Sequence, residues 1–157
     1  MQKLRAKAIA LRPEEIGINR SNFPKEVWGV LMETGYPDSA FSLVVLADGT
    51  ASLYFSTGGG IIGAGQHETV RKSSVNFMGW ANQYFSSSSP VSKHPLPSSG
   101  QVVFYFLSYK GVFSYSAKEL ELGEGRDKLS NLFHAGHEVI SHMREIEQAR
   151  HNPAVKN

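Results

Sequence analysis

Two stretches hold the residues best suited to chemistry: the glycine-rich YFSTGGGIIGAGQHE, Tyr54 to Glu68, and LFHAGHEVISH, Leu132 to His142, with three histidines. Gly58, Gly60 and Gly63 satisfy GxGxxG. A dinucleotide fold also needs a parallel βαβ unit and an acid about 20 residues further on, and no acidic residue occurs between Glu68 and Glu119. Gly60 and Gly65 have the outer spacing of a P-loop, but Gln66 and His67 stand where that motif carries Lys and Ser or Thr. The β and γ phosphates would lack their cation and magnesium its hydroxyl ligand. A weaker site for a small anion survives, built from the loop backbone and the free N–H groups of a helix starting near Gln66. Its candidate ligand-binding residues are Ser56, Thr57, Gly58, Gly59, Gly60, Gln66 and His67. Glu68, in the first turn, complements the helix dipole and opposes an anion.

His134 and His137, i and i+3 on a helix, can face one ion. The motif is not HExxH, because His142 follows His137 at i+5 and is rotated by about 140° at 3.6 residues per turn. Zinc needs at least three protein ligands. A metal centre would therefore have to recruit His67 to His134 and His137, and solvent-facing histidines with no metal or other cofactor are the expected state. There is no cysteine, which removes disulfides, thiol catalysis and thiolate zinc sites. No GxSxG elbow supports a serine nucleophile. Glu119, Glu121, Glu124 and Asp127 read as a solvated acidic edge at a strand end.

These residues sit in a chain of 157, long enough for one domain with its own core. Hydrophobic residues make up 41% and charged residues only 19%, a globular rather than a disordered balance. The formal net charge of +2 gives no footprint for nucleic acid. A mildly cationic block, Arg71, Lys72, Lys93 and Lys110, occupies the acid-free middle. No run reaches the ~18 apolar residues of a membrane span, and the N-terminal segment lacks a signal-peptide core, so the cytoplasm is the default location.

Leu4, Ala8 and Leu11 predict a short helix ended by Pro13, followed by a connector to residue 26 with a helical turn at Pro13 to Ile16. Residues 27–35, 40–48 and 51–56 read as three strands, the last two joined by a type I′ turn at Asp48-Gly49. Residues 67–85 form an amphipathic helix with Val70, Phe77, Met78, Ala81, Tyr84 and Phe85 on its apolar arc. Trp80 and Val75 fall outside that arc, which makes Trp80 the candidate interface residue. Residues 86–100, with seven serines and three prolines, read as a mobile loop. Strands at 101–108 and 111–122 follow, then a long helix capped by Asp127, with a frayed tail at 150–157. The expected fold is α+β, a single two-layer domain over 1–157 with its core in 27–149. Its five-stranded, mostly antiparallel sheet has the element order α-βββ-α-ββ-α.

LYFSTGGG followed by HETVR, together with LFHAGH, resembles a family of small bacterial proteins to which no activity attaches. The element order is similar to that of roadblock and profilin-like domains, and less closely to type III secretion chaperones. The 15-residue Ser/Pro segment departs from the compact roadblock connection, and the slight positive charge departs from the usual acidity of the chaperones. Without a coherent catalytic set, the first expectation is a non-enzymatic interaction or scaffolding domain, homodimeric or bound to a protein partner, with no nucleic acid and no membrane. The alternative is a small-anion or nucleotide-binding module at the glycine-rich loop. A metal-dependent enzyme comes last.

Overall fold

A computed structural model describes residues 2–151. Helix α1 (Gln2–Ile9) leads through a 3₁₀ turn (Pro13–Ile16) and a connector into strands β1 (Val27–Gly35), β2 (Ala40–Leu46), β3 (Ala51–Phe55) and β4 (Gly60–Ile61). A 3₁₀ turn (Ala64–Gln66) precedes helix α2 (Glu68–Tyr84). Then come β5 (Ser89–Pro90), β6 (Gln101–Ser108), β7 (Gly111–Lys118), a short α3 (Glu119–Gly123) and the long α4 (Ser130–His151). Residues 150 and 151 are thus helical, and the rest of the expected tail lies outside the described residues.

The fold is α+β, but its sheet has seven strands where five were expected, in the order β4-β3-β2-β1-β6-β7-β5, with every neighbouring pair antiparallel. The two extra strands are two residues long, too short for any periodic signal. β4 forms because Gly60 lies against the Leu53 carbonyl, where any Cβ would collide. β5 ends in Pro90 on the outer edge, where a missing N–H breaks no ladder.

β1 is central and buried along its whole length, so its residues alternate between two covered faces. Val30 and Met32 pack with α2 and α4 beside Leu43, Phe77, Phe104 and Val139. Trp28 and Leu31 face the other way, beside Val44, Leu46, Tyr105 and Leu107, under Ala8 and Ile9 of α1. The sheet is therefore covered on both faces, with α1 forming a third layer. Asn82 of α2 ties helix to sheet, accepting from Val27 N–H at 2.8 Å and donating to Val27 C=O at 3.0 Å.

Three local expectations change. Leu4 is exposed while Ile9 is buried, because α1 turns its Ala8–Ile9 end onto the sheet. No non-glycine residue among those described has a positive φ, so the β2–β3 connection is not type I′. Gly49, at φ 96, alone takes the left-handed position, and its N–H donates to Leu46 C=O at 3.1 Å, which matches the longer hairpin loops built on a type I turn. Residues 119–122 are helical rather than extended, since α3 buries Leu122 completely. Ile62 is 61% exposed while its neighbour Ile61 is buried.

The Ser/Pro-rich segment is anchored at several points. Beyond the β5–β7 pairing, Val91 N–H donates to Val112 C=O, Tyr105 Oη–H donates to Pro95 C=O, and Gly100 N–H donates to Gly35 C=O.

Candidate functional site

The glycine-rich stretch folds as a hairpin rather than a cradle. Ser56 and Thr57 form a turn closed by Gly58 N–H on Phe55 C=O, with Gly58 and Gly59 at φ 108 and 80. Ser56 is already engaged, its Oγ accepting from Ala40 N–H at 2.8 Å. The chain then returns along β3, and Gly65 abuts the Gly49 carbonyl at the opposite end. Ser56 to Gly60 and Gln66–His67 therefore stand about 15 Å apart, the length of a five-residue strand, and cannot close on one small anion. Thr57 instead borders a separate cleft with Tyr36 and Arg144.

Gln66 and His67 meet a residue that motif reasoning missed. His67 is the N-cap of α2, with no side-chain cap hydrogen bond, and its C=O accepts from Arg71 N–H one turn later. Arg71 lines two clefts. Among the described residues no carboxylate lies within ion-pairing distance of it, whereas Glu68, expected to repel an anion here, pairs with Lys72 at 3.4 Å. One cleft, open and about 450 Å³, runs between the β2–β3 turn and Gln66 and includes Asp48. The other, about 160 Å³, lies between α2 and the end of β2, lined by Phe23, Val45, Leu46, Met78 and Gly79. It holds no acid, carries Lys25 and Arg71, and is bordered by Ser74. Ser74 is only 6% exposed, and its hydroxyl has no hydrogen-bond partner among the described residues. Arg71 belongs to the cationic block visible in the sequence. Ser74 had no signal there, since a serine on the apolar side of a helix reads as a neutral filler.

The histidines do not converge. His67 and His134 are exposed. His137 is half-buried, with its ring 4.5 Å from that of Phe133 and edge-on to Phe41. Burial, with the positive charges of His134 and Arg144 nearby, lowers the His137 pKa. Among the described residues, no three His, Asp or Glu side chains stand close enough to hold a metal ion. Trp80 is partly buried against the core and stacked on Tyr84 at 5.8 Å.

On the other face of the sheet lies a polar cluster that the sequence did not announce. Glu33, fully buried on β1, accepts from Arg5 Nε at 2.6 Å, Arg5 Nη2 at 2.8 Å and Ser42 Oγ at 2.5 Å. Arg5 Nη2 also donates to His94 C=O at 2.7 Å, and the guanidinium lies 5.8 Å from the Tyr105 ring centroid. The visible cue was one acid inside an apolar run, VLMET. The two charges of this cluster pair with each other, and its hydrogen bonds join β1 to Ser42 of β2 and to the His94 carbonyl, which makes it a clasp between α1, sheet and Ser/Pro segment.

Compared with family models, with curated proteins and with solved structures, the chain finds no match in any of the three.

Proposed function

We propose that the protein is a non-catalytic binding module for a small anion, held by Arg71 at the N-terminal end of α2. The carrying observation is Arg71 itself: a guanidinium with no carboxylate partner among the described residues, shared by two clefts beside a helix start. Helix N-termini favour anions, and a planar guanidinium binds carboxylates and phosphates through paired hydrogen bonds. This reading moves the site from the whole Ser56–His67 stretch to its C-terminal end. A thermal-shift screen with inorganic phosphate, nucleotides and carboxylates tests it. A ligand at 100 times its dissociation constant adds about 2.7 kcal/mol, and the gain should vanish in Arg71→Gln. No shift with any anion, or an equal shift in the variant, would refute the assignment.

The exposure of Ile62 (61%) and Val75 (68%), which flank the same arginine, favours a second reading, a self-association or partner surface. The resemblance in element order to roadblock and profilin-like domains belongs with it. Both sheet edges end in two-residue strands, an arrangement that discourages strand addition, so association would use the α2 side. Light scattering at high concentration checks this: a dimer that Val75→Asp dissociates supports it, and a monomer throughout argues against it.

A further inference from the structure

Resting on the anion-binding reading, we infer that the ligand is an amphipathic carboxylate, its head on Arg71 and Ser74 and its apolar body in the cleft beside Gly79. Three independent features converge. Arg71 and Ser74 are i and i+3 on α2, neighbours about 5–6 Å apart at Cβ, so one carboxylate can span both. Ser74 Oγ is buried and unpartnered, a state that is costly in a native protein unless something meets the hydroxyl. The third feature is the glycine. Gly79 lies inside a 17-residue helix, where glycine is about fivefold less favourable than alanine.

At Gly136 in α4 the reason for glycine is visible, since a Cβ would stand 2.7 Å from Met32 Sδ and 3.0 Å from Phe77. At Gly79 a Cβ would meet nothing within 4 Å, and its backbone is ordinary helix. What the missing side chain leaves is room in the cleft, about two turns along α2 from Arg71. The cleft's volume, about 160 Å³, matches an apolar cavity of about 150 Å³ that accepts benzene. A carboxylate suits it better than a phosphate, because a monoanion is less costly than a dianion to bring against Val45, Leu46 and Met78.

The test is titration calorimetry with phenylacetate, acetate, benzyl alcohol and inorganic phosphate, on wild type, Arg71→Gln and Gly79→Leu. Wild type should bind phenylacetate at least tenfold more tightly than acetate, because apolar burial is worth about fourfold per methylene, and at least tenfold more tightly than benzyl alcohol. Gly79→Leu fills the cleft without backbone strain, so it should melt no lower than wild type yet bind at least tenfold more weakly. Unchanged binding in a folded Gly79→Leu, or equal affinity for acetate and phenylacetate, overturns the inference. If that variant does not fold, amide-shift mapping on wild type decides: phenylacetate must perturb residues 71–79 and 45–49, and perturbation confined elsewhere overturns the inference. Phosphate binding without phenylacetate binding leaves the anion reading standing and removes this one. Binding of neither removes both.

Discussion

Replacing Arg5 by Met is the sharpest test of how the two faces of the sheet are held. Arg5→Met keeps the length and apolar stem of the side chain but deletes three charge-assisted hydrogen bonds, two to Glu33 and one to His94 C=O. Glu33 is left fully buried with a single donor, Ser42 Oγ. Removing one partner of a buried pair costs about 3–5 kcal/mol, whereas an exposed pair is worth about 0–1 kcal/mol. The Arg5 side chain is 11% exposed and that of Glu33 is 0% exposed, which places the pair in the first regime. At about 2–4 °C per kcal/mol for a chain of this size, the melting temperature should fall by roughly 6–20 °C. Urea unfolding followed by tryptophan fluorescence gives the free energy, since Trp28 lies in the same cluster. The triple variant Arg5→Met, Glu33→Leu, Ser42→Ala removes charge and partners together and should return to within about 1 kcal/mol of wild type. A loss below about 1 kcal/mol for Arg5→Met alone, with an unchanged m-value, would refute the reasoning.

Three further outcomes follow from the same structure. Gly79→Ala should stabilise by about 0.5–1 kcal/mol, and Gly65→Ala should destabilise by about 1–3 kcal/mol, because its Cβ would collide with the Gly49 carbonyl; paired urea denaturation curves check both signs. His137, whose pKa is lowered by burial, takes up its proton more readily when unfolded. Stability is therefore full above pH ~6.5 and falls as pH drops toward the lowered folded value, and His137→Phe should flatten that slope in melting curves between pH 7 and 5. Tyr115, half-buried and donating to Asp127 at 2.9 Å, has its pKa pushed up to about 12 by desolvation and by the Asp127 carboxylate. Its contribution is present below pH ~10 and lost between about 10 and 12, and ultraviolet titration of the native protein should lose its highest step in Tyr115→Phe.

The long amphipathic helices and the five principal strands were legible because each carries a periodic apolar pattern over many residues. Phe77, Met78 and Ala81 on α2 and Leu132, Val139 and Met143 on α4 are buried as their spacing requires. What escaped were features made by juxtaposition. β4 depends on Gly60 reaching the Leu53 carbonyl, and the third layer depends on Arg5 finding Glu33 across 28 residues of chain. The candidate site shows the same division. A glycine-rich run suggests a binding loop, but only the hairpin reveals that its two ends are separated, and only packing shows that Ser74 and Gly79 border one cleft with Arg71.

The clasp on Arg5 also sets an order in time. Arg5 bonds to His94 C=O across 89 residues, a length that synthesis covers in on the order of 5–20 s at about 5–20 residues per second. During that interval Glu33 keeps its hydration, and the second edge of β1, which awaits β6, stands open. Helix α1, which precedes the sheet in the chain, is among the last elements to seat. Trp28, sealed beneath α1, reports when that closing step of assembly is complete.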